Sequence, residues 1–397
     1  RLEKDQQGTK DLYTYNYWSS PVGLSNTISN NNSFKLTDGI LRNGTIPATP
    51  NSITFLTSGY NGSTSGTDIS IADYWVWKYA NNLSNTYSAW QHIRRTGTLL
   101  EGEGFTMKGV ESSGSSFNST QNYNFYGKPN NGDITLTIAA GNDYLVGNPY
   151  PSALDADMFI LDNISVADGG NNTVNVINGA LYFWEHFASG SHVLSQYEGG
   201  YGTYTLMGGA EAITTDALIN TGGSLTSTKG APQRYIPVSQ GFFVSAILDT
   251  NLNGEPNDPA LSQSIAGGNI IFKNSQRAFR TEAPGSSVFL KNANNKSKTS
   301  KETNVDLRQK IRLKFDSPTG YHRQLLVGVD EKASNNFDIG YDAPLIEDNK
   351  EDLFWVFNNN DFVIQAVNNF DVEQTLPLGV KISKQGLASI KIDYLEN

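Results

Sequence analysis

Cleaving a glycosidic bond takes two carboxylates facing each other across it. Two acidic pairs in the chain have side chains of the right type. Asp155 and Asp157 sit two apart in Leu154-Asp155-Ala156-Asp157, and Glu101 and Glu103 flank Gly102. Each pair also has a structural reading. Asp155 fits the cap of a short helix, with Asp157 a first-turn acid favoured by the helix dipole. Glu101-Gly102-Glu103-Gly104 reads as a turn rather than as a strand presenting both acids on one face. No Gly-x-Ser-x-Gly elbow is present, nor a glycine loop with Lys and Ser or Thr for a phosphate. The sequence therefore offers no catalytic residue, and the expectation is a protein that is not an enzyme.

Oxygen ligands recur in Asp249-Thr250-Asn251-Leu252-Asn253-Gly254-Glu255-Pro256-Asn257-Asp258. Alternate oxygens followed by glycine match the start of an EF-hand-like calcium loop. Asp249, Asn251, Asn253 and Glu255 would be ligands, with Asp258 supplying the carboxylate that Ala260 cannot. Pro256 and Pro259 interrupt the pattern, so an ordinary Asn/Asp turn stands beside the calcium reading. Structural calcium is the one cofactor this leaves open. His186 and His192 are six apart with no cysteine and no obvious third ligand, which reads as two unrelated histidines rather than a zinc site.

Flat rings are the remaining chemistry. Trp75, Trp77, Tyr79, Trp90, Tyr182 and Trp184 could stack on sugar rings, with Trp75, Trp77 and Trp184 the chosen platform. On a period-two strand Trp75 and Trp77 share one face, while Tyr74 and Val76 take the other. Core packing is the alternative role for such rings. Lys291, Lys296, Lys298 and Lys301 could touch anionic glycans, or simply decorate a solvated loop.

Strands must position these residues. Hydrophobic residues make up 38% of the 397 and charged residues only 17%. The balance is Asn, Ser, Thr and Gly, which favours strands and turns over long helices. Ile134-Thr135-Leu136-Thr137-Ile138 alternates with period two, and Ala180 to Phe187 is a near-continuous apolar-aromatic run suited to a central strand. Ser152, three residues before Asp155, fits a capping box opening a helix over Ala153 to Ile160.

Two segments look alike. Tyr15-Asn16-Tyr17-Trp18-Ser19-Ser20-Pro21, Asp73 to Tyr79 and Gly102-Glu103-Gly104-Phe105-Thr106-Met107-Lys108-Gly109 form the first series. Tyr144 to Pro151, Ala180 to Phe187 and Val238-Ser239-Gln240-Gly241-Phe242-Phe243-Val244-Ser245 form the second. The predicted organisation is all-β: two related β-rich modules in tandem (1–143 and 144–273), a linker or long surface loop (274–306) and a C-terminal β-sandwich (307–397). The last rests on runs such as Lys310 to Phe315, Gln324 to Val329, Leu353 to Phe357, Phe362 to Val367, Leu376 to Ile382 and Ala388 to Ile392.

The absence of cysteine excludes disulfides, zinc–thiolate sites and thiol nucleophiles. A net charge of −10 disfavours nucleic acid and anionic membrane as partners. No apolar stretch is long enough to span a bilayer as a helix. The chain opens at Arg1 without Met or an apolar leader, so an upstream piece is expected.

Leu145-Val146-Gly147-Asn148-Pro149-Tyr150-Pro151-Ser152-Ala153, Gly102 to Gly109 and Ser239-Gln240-Gly241-Phe242-Phe243-Val244 carry a resemblance. Asn274-Ser275-Gln276-Arg277, Gly320-Tyr321-His322-Arg323-Gln324 and Phe337-Asp338-Ile339-Gly340-Tyr341-Asp342 add to it. Together they resemble the large cell-surface proteins that Bacteroidota export through the type IX secretion system. The resemblance runs from about Tyr13 to the end of the chain. It implies a signal peptide, a β-rich passenger and a C-terminal sorting domain, with the outer-membrane translocon and its shuttle components as partners during export. The sorting domain would follow Tyr394-Leu395-Glu396-Asn397. It supplies no catalytic motif. The expected function is a secreted or cell-surface passenger with a structural, adhesive or gliding role. The alternatives are a carbohydrate-binding protein with a surface glycan as partner and, behind it, a glycan-active enzyme.

Overall fold

The computed structural model describes residues 2–84, 86–111, 119–188, 190–193, 196–213, 230–248, 257, 263–281, 306–357 and 359–397. They are almost entirely strands and turns, as the composition requires. The first unit is framed by β1 (Leu2–Thr9), β2 (Tyr15–Trp18), β3 (Phe105–Lys108) and β4 (Thr120–Pro129). β1 pairs with β4, and β2 pairs with β3. The second unit holds β5 (Ile134–Ala139), β6 (Asn142–Gly147), α1 (Ala156–Asn163), β7 (Leu181–Ala188), β8 (Glu198–Thr205), β9 (Gly208–Ala210), β10 (Gly241–Ser245) and β11 (Gly267–Phe272). β5 pairs with β11, and β6 pairs with β10. The order of pairing is the same in both units: first strand with last, second with next to last.

The register is the same as well. With Pro21 matched to Pro149, Trp18 stands opposite Phe105 where Val146 stands opposite Phe242. The two inner pairs then exchange contacts. Trp18 bridges Gln240, while Val146 bridges Glu103. Ser19 N donates to Ser239 O at 2.9 Å, and Gly147 N donates to Gly102 O at 3.0 Å. Ser239 (φ 65°) and Gly102 (φ 85°) are both left-handed, which aims each carbonyl across the junction. A Cβ on Gly104 would lie 2.7 Å from Leu145 Cγ, and one on Gly241 would lie 2.9 Å from the Tyr17 carbonyl carbon. Asn130 joins the two Pro turns, its N–H donating to Pro21 O and its amide to Pro149 O, each at 3.0 Å.

Adjacent residues of β2 serve different cores. Trp18 packs with Tyr123, Phe125, Phe105 and Met107 in the core of the first unit. Tyr17 packs into a larger core that runs through the second unit and on into the C-terminal strands. The predicted alternation of β5 holds, with Ile134, Leu136 and Ile138 buried between exposed residues. β7 lies between β10 and β8 in a six-stranded sheet, which explains its continuous apolar run. The helix starts later than expected. Ala153–Asp155 is a short strand, and Asp155 is itself the N-cap, accepting from the N–H groups of Asp157 and Met158. A side chain that caps cannot lie inside the helix it opens.

The strands read from the C-terminal sequence are all present: β12 (Lys310–Asp316), β13 (His322–Val329), β14 (Asp352–Phe357), β15 (Asn360–Val367), β16 (Leu378–Lys381) and β17 (Ser389–Glu396). They form one sheet in the order β16-β14-β15-β13-β12-β17, which Ala343–Pro344 joins at β15. β13 and β15 run parallel at its centre. Leu325, Leu326, Ile364 and Ala366 there belong to the same core as Phe242 and Tyr182. Of the segment read as a linker, residues 274–281 are tied in, with Arg277–Ala278 pairing with Ala153–Leu154; residues 282–305 lie outside the described ones.

Arg323 is the most enclosed charge of this sheet, with its side chain fully buried. Its guanidinium donates to both Asp352 oxygens at 2.8 and 2.7 Å and to Glu347 Oε2 at 2.9 Å. Removing one partner of such a group leaves buried charge uncompensated. Arg323→Met is expected to lower the unfolding free energy by about 3–5 kcal/mol, read by denaturant titration. A loss under about 1 kcal/mol would show that Asp352 and Glu347 are stable without it.

Candidate functional site

Where the two units and their connecting loops meet there is an open cleft of about 680 Å³. β2 contributes Tyr15 and Tyr17, and β3 contributes Thr106. The loops of the first unit supply Tyr60, Tyr74, Trp75, Trp77, Tyr87 and Trp90, and the second unit supplies Trp184, His192, Val193, Tyr197 and Tyr201. Eleven of these fourteen lining residues are Tyr or Trp, and four of the chain's six tryptophans are among them. No carboxylate is among the described lining residues.

Trp75, Trp77 and Trp184, singled out from the sequence, all face this one cleft. The local geometry differs from the expected strand. Asp73–Trp75 is a 3₁₀ turn, and only Trp77–Lys78 is extended. The turn breaks the period of two, so Tyr74 joins Trp75 and Trp77 on the cleft while Val76 alone goes to the core. Thr106 fixes the bend: its hydroxyl donates to Trp75 O at 2.8 Å and accepts from Trp77 N at 3.2 Å.

The three indoles are not equivalent. Trp75 is only 7% exposed, and its Nε1–H donates to Tyr60 O at 2.7 Å. It is a packed wall. Trp77 is half-buried and backed by His92, stacked at 4.0 Å and 12°. Trp184 is half-buried, near parallel to Tyr17 at 6.1 Å and edge-on to Tyr201 at 5.2 Å. Tyr17 OH and Tyr201 OH lie 3.4 Å apart. Tyr201 is held from behind, its backbone N–H donating to Glu347 Oε1 at 2.8 Å. The carboxylate that anchors Arg323 therefore also fixes the cleft wall.

Under one end of the cleft lies Lys108, which the sequence reading did not single out. Its side chain is 2% exposed. Nζ sits 3.7 Å from the Trp75 ring centroid, 4.5 Å from that of Tyr197 and 4.7 Å from that of Tyr15. It donates to Tyr197 OH at 2.5 Å and to His192 Nδ1 at 3.2 Å. An ammonium can only donate, so Nδ1 accepts and Nε2 carries the hydrogen given to Asn61 Oδ1 at 2.6 Å. Burial lowers the Lys108 pKa to about 7, against a small opposing pull from Asp11. Burial and the Lys108 charge hold His192 at about 4. Trp75 also stacks on His192, at 4.8 Å and 23°.

The acidic pairs have other duties. Asp155 and Asp157 pair with Arg234 at 2.8 and 3.2 Å beside the helix. Glu103 is buried, accepting from Lys78 Nζ at 2.9 Å, from Tyr144 OH and from Leu100 N. Its partner Glu101 is only half-buried. The calcium loop candidates Asp249, Asn251, Asn253, Glu255 and Asp258 lie outside the described residues, as do Lys291, Lys296, Lys298 and Lys301. Among the described residues no group of three His, Asp or Glu is placed to hold a metal, and no helix is long and apolar enough to cross a membrane.

Lys108 generates a pH signature. The unfolded amine takes up its proton below about 10.5, the folded one only below about 7. Between these values the unfolded state binds more protons, so stability rises with pH. The unfolding free energy of the native chain is expected to climb between about pH 7 and about pH 10, and to climb less in Lys108→Met. Equal slopes in the two proteins would show that Lys108 stays charged when buried.

The comparisons cover most of this site. A family model described as a domain of unknown function (DUF8693) matches residues 57–397. That span takes in the cleft walls from Tyr60 to Tyr201 and the whole C-terminal sheet, and leaves out β1 and β2. No curated protein and no solved structure matches the chain. By the length of the family match, the chain belongs to the DUF8693 family.

Proposed function

We propose that this chain is a carbohydrate-binding module of a secreted or cell-surface protein, with the aromatic cleft as its sugar site. One observation carries the reading: a cleft of about 680 Å³ walled by Tyr and Trp from both units. Its volume is in the range of small-molecule sites. A sugar ring presents an apolar C–H face to an aromatic face, and its hydroxyls need partners that Tyr hydroxyls supply. Rings on strands and pinned turns are ordered before the ligand arrives, which limits the entropy lost on binding.

The resemblance to type IX exported passengers supports an extracellular setting and export through the outer-membrane translocon. An adhesive role and a sugar site are compatible, since grip on a surface glycan is one way to adhere. A glycosidase mechanism finds less support, because it needs two facing carboxylates and the described cleft walls carry none.

The test is a glycan array followed by titration of the best ligand. Trp77→Ala and Trp184→Ala are each expected to weaken binding about tenfold, the equivalent of about 1.4 kcal/mol, with the melting temperature little changed. Trp75→Ala is a poor probe because that ring is packed. Absence of any glycan ligand, or full affinity in both variants, would sink the reading. Exposure at the surface is tested separately: protease added to intact cells should remove the protein.

A further inference from the structure

The end of the cleft above Lys108 has a charge but no counter-ion among the described residues. Lys108 Nζ lies one ring layer below the cleft, against Trp75, Tyr197 and Tyr15, which are themselves cleft walls. Its hydrogen-bond partners, Tyr197 OH and His192 Nδ1, are neutral acceptors that also line the cleft. The two phenols stay protonated, because burial pushes Tyr197 up to about 12 and Tyr15 higher still. The acid whose charge Lys108 feels is Asp11, and the two make no ion pair among the described residues. Asp11 Oδ1 accepts from Tyr13 N, Thr14 N and Thr14 Oγ.

A buried charge without a counter-ion is costly, and an incoming anion offsets that cost. A neutral hydroxyl could take the same hydrogen bonds but could not answer the charge, and a cation would be repelled. The donors at this end are set for an anion as well. The Tyr197 oxygen accepts from Lys108, so its own hydrogen is turned toward His192 O, at a long 3.4 Å. An oxyanion in the cleft is a stronger acceptor for that hydrogen. No Asp or Glu among the described lining residues would repel it.

We infer that this end of the cleft is an oxyanion site, and that the carbohydrate it serves is an acidic sugar whose carboxylate sits over Lys108 and takes the Tyr197 hydroxyl hydrogen. The second half rests on the glycan reading above. The first does not, since a free carboxylate has the same chemistry. The site carries its own pH dependence. In the empty cleft the amine gives up its proton above about 7, while a neighbouring carboxylate favours the charged form. Above that pH, binding the acid takes up a proton, so its affinity falls as pH rises.

The experiment titrates the protein, at constant ionic strength, against three probes. They are sodium acetate, a galacturonic acid oligosaccharide and the same oligosaccharide with its carboxyls reduced to alcohols. Tryptophan fluorescence and calorimetry give the affinities at about pH 6 and about pH 9, on either side of the Lys108 titration. Lys108→Met is the primary variant, and Tyr197→Phe, which keeps the ring and removes the hydroxyl, keeps the test open if the first fails to fold. At about pH 6 the native chain is expected to prefer the acid over its reduced form by at least about tenfold, and by about pH 9 to prefer it by about threefold or less. The preference should be lost in Lys108→Met and reduced in Tyr197→Phe. If acetate shifts the fluorescence in a Lys108-dependent way and neither oligosaccharide binds, the oxyanion site stands, its ligand is a free carboxylate and the glycan reading fails. If the two oligosaccharides bind alike, or the preference survives intact in both variants, the glycan reading stands and this inference is overturned. If no probe binds, both fall.

Discussion

Two small exchanges of backbone contact hold the rest of the molecule in place. Trp18 reaches across to Gln240, and Val146 reaches across to Glu103. Because each inner strand pair lends an edge to the other, neither unit can shift without breaking pairing in both. Backbone approaches this close tolerate no Cβ at Gly104 or Gly241. The exchange also decides what each residue of β2 does. It presses Trp18 into one core and turns Tyr17 and Tyr15 toward the second unit, where they become cleft walls. The site is a consequence of the interlock, since rings from distant parts of the chain meet only along that seam.

Electrostatics divides the seam. Lys108 is buried with no ion pair among the described residues, and its charge is met by three ring faces and two neutral acceptors. Burial outweighs these contacts, so its amine releases its proton readily, and burial together with the Lys108 charge keeps His192 neutral. An outwardly uniform aromatic surface thus has a buried amine under one end, supplied by a strand of the interlocked pairs.

Much of this was legible in the sequence, and the misses have physical causes. Alternation revealed Ile134–Ala139, and the aromatic run revealed Leu181–Ala188, because burial on one or both faces is written directly into side-chain type. Trp75, Trp77 and Trp184 were visible as a ring cluster. Tyr15, Tyr17, Tyr60, Tyr87, Tyr197 and Tyr201 were not gathered with them, since they come from separate segments and tyrosine is equally at home in any strand. Tyr74 was assigned to the wrong face because the clamp that bends its segment, Thr106, lies far along the chain. Lys108 was missed for the same kind of reason: nothing nearby in sequence marks it as caged.

The tie between Glu347 and Tyr201 uses the backbone of Tyr201 and ignores its ring. That one tie therefore survives any side chain but proline at the position, whereas the contacts with Trp184, Phe243 and Tyr17 depend on the ring. The backbone course of this cleft wall is thus set from the C-terminal sheet, independently of the ring that the wall presents.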